Sequence, residues 1–296
     1  MNKLKTIIVG GDFSECSRSA LEQAVRLASW NQANLRVIHA IEHLTISDAA
    51  EAFKLSEDQI RREVRQGAIA RLSVWAAETG ALKVHSREVI FGTPLDVLLQ
   101  ETRSSHADLL VLGVTGESLL PYGAGTLATK CLRKAPCKVM LIKESHARPF
   151  RRIVACVDFS ETSREAVAQA LRAASQDQAE VHFLHVFQPP WDYPMSFGDR
   201  VPAMSDFEKN YRLVLENSLR KFVAPAAGSQ TVCALTEAKT HGHGIAEYCR
   251  RVDADLVLLG TKGKTNLKYV LLGSTVERLL KELPCSVLVV RPPVEP

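Results

Sequence analysis

The chain repeats itself, and no other feature constrains its fold as strongly. Residues 5–41 align without a gap on residues 151–187, at an offset of 146, and 16 of those 37 positions are identical. Asp12-Phe13-Ser14-Glu15 returns as Asp158-Phe159-Ser160-Glu161, and His39 returns as His185. Further on, Ala107-Asp108-Leu109 matches Ala254-Asp255-Leu256, and Ala135-Pro136-Cys137 resembles Leu283-Pro284-Cys285. The 296 residues therefore read as two copies of one unit of about 145 residues. That length suits a single domain. The expected boundaries are a first domain over 1–143 and a second over 151–296, with the polar, proline-containing stretch from Glu144 to Phe150 as linker.

Each copy alternates strand and helix. In the first, Thr6–Gly11, Leu35–Ala40, Val84–Ile90, Leu109–Gly113 and Lys138–Lys143 are apolar runs of strand length. Ala20, Leu21, Ala24, Leu27 and Ala28 form a stripe at helical spacing behind a serine cap, Ser14 or Ser17. Ser56-Glu57-Asp58-Gln59 has capping-box form and opens a long helix, and Thr93-Pro94 pairs an N-cap with proline at the first helical position. The second copy offers Ile153–Val157, Val181–Val186, Val232–Ala238, Leu256–Gly260 and Ser286–Val290 as strands, with Ser205 capping its long helix. This string predicts an α/β fold: two tandem doubly wound domains, each a five-stranded parallel sheet of order 3-2-1-4-5 with helices on both faces.

Ligands of such sheets bind beyond the carboxyl ends of the strands where the order reverses. In the second copy strand 1 ends at Val157-Asp158. Strand 4 runs into Gly260-Thr261-Lys262-Gly263-Lys264-Thr265, and Gly273-Ser274-Thr275 begins the next helix. Glycines let backbone approach a ligand, and the N–H groups of a glycine turn and a helix start favour phosphate. Asp158 has the chemistry to accept a ribose hydroxyl or to help hold a phosphate-bound divalent ion. The competing reading is purely structural: the glycines turn the chain, and Asp158 caps a helix.

The pattern Gly260-x2-Gly263-x9-Gly273-Ser274, after an apolar strand and with Asp158 ending strand 1, resembles the ATP-binding pattern of the universal stress proteins. The ending Pro284-Cys285-Ser286-Val287-Leu288-Val289-Val290 is similar to that family as well, and the resemblance covers both halves. It implies ATP held by backbone at Gly263, Gly273 and Ser274, with Mg²⁺ or Mn²⁺. It places Asp158 near the ribose or metal, and adenine near Val186. It also implies a cytoplasmic stress-response protein working through nucleotide state or partners, with slow or no ATP hydrolysis. Family members typically pair through the last strand. The two halves are therefore expected to pair with each other through Val139–Ile142 and Val287–Val290, which are apolar at every position. A homodimer of whole chains stays open.

The first copy departs from the pattern. Asp12, Gly113, Gly116, Gly125 and Thr126 remain, but eight residues instead of nine separate Gly116 from Gly125, and Glu117 stands where the second copy has Lys264. The expectation is about one ATP per chain, bound in the second half. His241-Gly242-His243 is a candidate metal pair, although two histidines fall short of a complete site, and a solvated loop competes. His39 and His185 read as satisfied core histidines. Gly263-Lys264-Thr265 lacks the upstream glycine of a P-loop, since Leu258 occupies that position. Trp191, Tyr193 and Phe197 lie in a proline-rich insertion, Gln188–Met204, that suits a lid or a partner surface.

Composition supports an ordinary globular chain, with 46% hydrophobic and 24% charged residues and a formal charge of +4. That spread-out excess gives no reason to expect a nucleic-acid partner. No apolar run approaches the roughly 20 residues of a membrane span. Seven dispersed cysteines without a CxxC pair argue for a reducing compartment, hence the cytoplasm. Two functions of other classes compete with nucleotide-gated signalling. One is nucleotidyl transfer by an α-hydrolase-like enzyme. The other is binding of an apolar or lipid-like ligand through the aromatic insertion.

Overall fold

The computed structural model describes residues 4–79, 84–115, 124–144, 148–190, 204–224, 230–261 and 272–291. The chain divides into two compact units between Arg148 and Pro149. The first unit contains β1 (Thr6–Gly10), α1 (Glu15–Asn31), β2 (Asn34–Ile41), α2 (His43–Phe53), α3 (Glu57–Glu78), β3 (Ser86–Phe91), α4 (Pro94–Ser104), β4 (Leu109–Gly113), α5 (Thr126–Lys134) and β5 (Lys138–Ile142). The second contains β6 (Arg152–Cys156), α6 (Glu161–Asp177), β7 (Glu180–Phe187), α7 (Met204–Val223), β8 (Thr231–Glu237), α8 (His241–Arg251), β9 (Leu256–Gly260), α9 (Ser274–Glu282) and β10 (Ser286–Val290).

All strand pairs within each unit are parallel. In the first, β1 pairs with β2 and β4, β2 with β3, and β4 with β5. The second repeats this, with β6 between β7 and β9, β8 beside β7, and β10 beside β9. Each unit therefore has the order 3-2-1-4-5, reversing direction at its first strand. Ile7 faces Leu35 on one side and Leu109 on the other, and Ile153 faces Val181 and Leu256. Ile7, Ile8, Val9, Ile153, Val154 and Ala155 are fully buried, as a strand covered on both faces must be.

The repeated Ala-Asp-Leu motif ties strand 1 to strand 4. Asp108 Oδ2 accepts the N–H groups of Lys5 and Thr6 at 2.6 and 3.0 Å. Asp255 Oδ2 accepts those of Arg151 and Arg152 at 2.6 and 2.9 Å. One carboxylate thus satisfies two backbone donors where strand 1 enters the sheet, and it fixes the register that brings both carboxyl ends level.

The structure adds an element and moves others. Helix α2 was not legible: its N-cap position, Glu42, makes no side-chain cap bond, and Ile46 and Ala50 are buried against Ile60 of α3 with Ile41 and Phe91 of the neighbouring strands. Helix α7 begins at Met204, so Ser205 lies inside it. His241 and His243 stand in the first turn of α8, where a loop was the competing expectation. Ser56 and Gln59 do form the capping box, and Thr93 caps α4 ahead of Pro94. Among the described residues, no helix is long and apolar enough to cross a membrane.

The two sheets solve one packing problem differently. On β2, Arg36 donates to Glu88 and Glu101 at 2.8 Å. At the corresponding place in the second unit, His182 Nδ1 bonds the Tyr248 hydroxyl at 2.8 Å. Burial alone would raise the Glu88 pKa, but hydrogen bonds from Ser86 and Arg36 outweigh it and hold the carboxyl below its ordinary value. A depressed carboxyl stabilises the fold above its unfolded pKa of about 4.3, and loses that contribution as pH falls through the lower folded value. Arg36→Met leaves two carboxylates facing one another, and should cost about 1–3 kcal/mol near neutral pH. Urea unfolding near pH 7 and near pH 4 should show the gap from wild type narrowing in acid.

Candidate functional site

The carboxyl end of strand 1 turns in the same way in both units. Phe13 and Phe159 adopt left-handed backbone, with φ of 67° and 63°. For a bulky residue this conformation costs about 1–2 kcal/mol. The rings offset that cost by packing. Phe13 lies 4.6 Å from the His39 ring and 5.8 Å, edge-on, from Trp75, with Arg71 4.1 Å above it. Phe159 lies 4.7 Å from His185 and 5.6 Å, edge-on, from Phe222.

The turn fixes two polar side chains at the end of the sheet. His39 Nδ1 lies 2.8 Å from the Gly11 carbonyl, and His185 Nδ1 lies 2.7 Å from that of Val157. A carbonyl only accepts, so Nδ1 carries the proton, and in the neutral ring Nε2 keeps its lone pair. Asp158 Oδ1 accepts the Ser160 N–H at 3.0 Å and the Ser160 hydroxyl at 2.5 Å. Ser160 in turn caps α6 by accepting from Ser163 N–H. Asp12, Ser14 and Ser17 repeat the arrangement. Serine and not aspartate therefore caps the helix, and the aspartate braces the capping serine with one oxygen. The Oδ2 atoms of Asp12 and Asp158 have no hydrogen-bond partner among the described residues.

A cavity opens beside this turn in each unit. The second, of about 210 Å³, is lined by Val157, Asp158, Val186, Gly260, Thr261, Gly273 and Thr275, all expected from sequence. It is also lined by His241, singled out in the sequence as a candidate metal ligand, and by Cys156, His185 and Val276, which were not expected. Ser274 opens α9 next to this lining, whereas Gly263 and Lys264 lie outside the described residues. The first cavity is larger, about 430 Å³, and its lining includes Asp12, Gly113, Gly125 and Thr126. Gly116 and Glu117 lie outside the described residues, as do Trp191, Tyr193 and Phe197 of the insertion. The repeat of His39 as His185 in register was the signal that could have placed both imidazoles in the site.

Side-chain size explains the difference in volume. Gly10, Ala40, Pro94 and Ala128 line the first cavity where Cys156, Val186, His241 and Val276 line the second. Gly11 and Val157 occupy matched places in the two linings, and a Cβ on Gly11 would sit 3.0 Å from the Trp75 ring.

Helices α5 and α9 point their starts at the cavities. Their N-cap residues, Gly125 and Gly273, supply no side-chain cap, so the first-turn N–H groups lack the acceptor that α1 and α6 receive from serine. The two expected metal ligands diverge. His241 faces the cavity, whereas His243 Nδ1 sits 2.9 Å from Glu282 and its Nε2 3.8 Å from Glu247. Burial alone would raise the Glu282 pKa, but bonds from His243 and Arg250 outweigh it and lower it. Among the described residues, no group of three His, Cys, Asp or Glu side chains is placed to hold a metal ion. Burial pushes the Cys156 thiol well above its usual pKa, so it lines the wall as a neutral thiol.

Comparisons with known proteins agree with this geometry. The model of the universal stress protein family matches residues 3–143 and again residues 149–291. Universal stress protein E of Photorhabdus laumondii is 22% identical over 314 residues, spanning 99% of this chain and 96% of that protein. A universal stress protein of Methanocaldococcus jannaschii is 33% identical over 149 residues, spanning 49% of this chain and 84% of its own length. The crystal structure of a universal stress protein from Archaeoglobus fulgidus shows the same fold. Its TM-score is 0.68 at 18% identity, over 97% of this chain and 96% of that one.

The glycines of the site separate by what they touch. A Cβ on Gly113 would meet the Cys16 carbonyl carbon at 2.7 Å and Ser17 nitrogen at 2.8 Å, so glycine there lets α1 approach β4. Among the described residues, a Cβ on Gly273 would meet only Thr261 O, at an ordinary 3.7 Å, and the backbone there has φ of −59°. Gly113→Ala should therefore destabilise the chain by about 1–3 kcal/mol. Gly273→Ser, which supplies a good N-cap, should stay within about 0.5 kcal/mol of wild type. Urea unfolding of the two variants checks this, and equal losses would contradict the distinction.

Proposed function

The chain belongs to the universal stress protein family, as two tandem copies, and from that premise we propose that it is a stress-response protein that binds ATP in the second-half crevice. The observation that carries this reading is convergence. The Oδ2 of Asp158, without a hydrogen-bond partner among the described residues, and the start of α9, without a side-chain cap, border one cavity at the point where the sheet order reverses. An uncapped helix start with a glycine that neither packing nor backbone geometry requires is suited to oxygen atoms of a phosphate.

The residues fit the cofactors they would hold. Gly273 and Ser274 supply backbone donors for phosphate, and Lys262 and Lys264 of the connecting segment supply countercharge in sequence. Mg²⁺ is usually held by one or two carboxylates and by phosphate oxygens, keeping several waters. Asp158 provides one such carboxylate, with one oxygen that has no partner among the described residues. Val186 and Ile245 give the crevice an apolar wall for a base. Bound nucleotide would neutralise the helix start and the lysines at once, which supports a role for nucleotide state in partner choice.

Calorimetric titration of the full chain should show about one ATP per chain. Gly263→Val and Gly273→Val should weaken binding by at least about tenfold, corresponding to about 1.4 kcal/mol. Gly116→Val and Gly125→Val should leave it within about twofold, with circular dichroism confirming the fold. Two equal sites, or loss only from the first-half variants, would contradict the assignment.

A further inference from the structure

We propose that the outward face of α3 is the contact between two copies of this chain, with the two helices packed antiparallel across a two-fold axis at Ala70. The dimer involves neither cavity and forms whether or not a nucleotide is bound.

Helix α3 turns one side to its own unit, where Leu72, Trp75 and Ala76 are buried. Gln66, Ile69, Ala70, Ser73, Val74 and Ala77 are exposed on the opposite side. Their spacing is that of one helix face, and none of them is charged. Ile69 keeps 41% and Val74 59% of its surface in solvent. The Ser73 hydroxyl donates back to the Ile69 carbonyl at 2.8 Å, so its proton is satisfied within the helix and needs no water. A surface helix ordinarily carries charged residues opposite its buried stripe.

Helix α7, the counterpart in the second unit, does carry them. Leu72 and Leu219 are both fully buried, and Trp75 and Phe222 both meet the turn phenylalanine edge-on, which fixes the match between the helices. In that register Ile69 corresponds to Glu216, Ser73 to Arg220 and Val74 to Lys221. Arg220 donates to Glu216 at 2.6 Å. Leu213 and Val214 are exposed on α7, but charged residues follow them on its outward side. The fold accepts charge at these positions, so packing within the unit does not account for its absence from α3.

The charges at the two ends of the face select a second copy as the partner. Arg62 opens the face and has no ion pair among the described residues. Glu78 closes it, half exposed beside Arg18 at 3.1 Å. Antiparallel packing centred on Ala70 sets Arg62 of each copy against Glu78 of the other, Gln66 against Val74, and Gly67 against Ser73. Parallel packing would instead bring Arg62 onto Arg62 and Glu78 onto Glu78. The antiparallel arrangement also opposes the helix dipoles. A Cβ on Gly67 would meet nothing within 4 Å among the described residues, and Gly67, Ala70 and Ser73 leave room for a second helix to approach. One helix face is smaller than the roughly 800 Å² per partner of a standard interface, so the dissociation constant should be on the order of 10–100 µM.

Sedimentation velocity of the full chain between about 1 µM and about 300 µM tests this. Wild type should pass from monomer to dimer across that range. Ile69→Glu/Val74→Lys copies the residues of α7 and should raise the dissociation constant at least about tenfold, with circular dichroism confirming the fold. Ala70→Cys places a thiol on the axis. A short bis-maleimide should link two such chains well beyond the level seen with wild type, or with Asn217→Cys at the matched place on α7. That cross-link reads the contact even if the double variant fails to fold. Wild type that stays monomeric throughout, a dimer untouched by the folded double variant, or equal cross-linking at positions 70 and 217 would each overturn the proposal.

Discussion

Everything at the functional end of this protein depends on one turn, in which strand 1 leaves the sheet through a phenylalanine in left-handed backbone. The conformation is unfavourable for that residue, and it persists because the ring is clamped between an imidazole and an aromatic side chain of the long helix. The same few residues then orient the histidine through the preceding carbonyl and commit one aspartate oxygen to the helix cap. Among the described residues, a carboxylate oxygen is left without a partner at the mouth of a cavity whose lining includes the histidine. The sheet order places the uncapped helix start on the opposite side.

The two copies share this frame and differ in what fills it. The ring that holds the turn residue changes from Trp75 to Phe222, and larger residues in the second lining accompany a fall in cavity volume from about 430 to about 210 Å³. Duplication thus preserved the costly turn while the cavity lining changed.

Much of this was legible in the sequence because it is carried by local chemistry. The parallel sheets follow from uninterrupted apolar strands, the caps at Ser56 and Thr93 sit where the spacing put them, and Ser14 is the one of the two candidate serines that caps the first helix. Asp158, Val157, Val186, Gly260, Thr261, Gly273 and Thr275 were expected at one crevice and line one cavity. Helix α2 was missed because its burial comes from α3 and the neighbouring strands and not from its own ends. His185 was assigned to the core because spacing does not reveal that its ring is held by a carbonyl at the cavity wall. Gly113 was assigned to ligand binding, but its lack of a side chain also admits α1, a contact between elements far apart in sequence.

The central claim is that the crevice at the carboxyl ends of β6 and β9 holds the nucleotide. Photo-crosslinking of the full chain with 8-azido-ATP, followed by peptide mapping, tests it most directly. The account predicts label on second-half peptides between Glu180 and Arg251, lost when unlabelled ATP competes. Label concentrated on first-half peptides around His39 and Pro94 would contradict it.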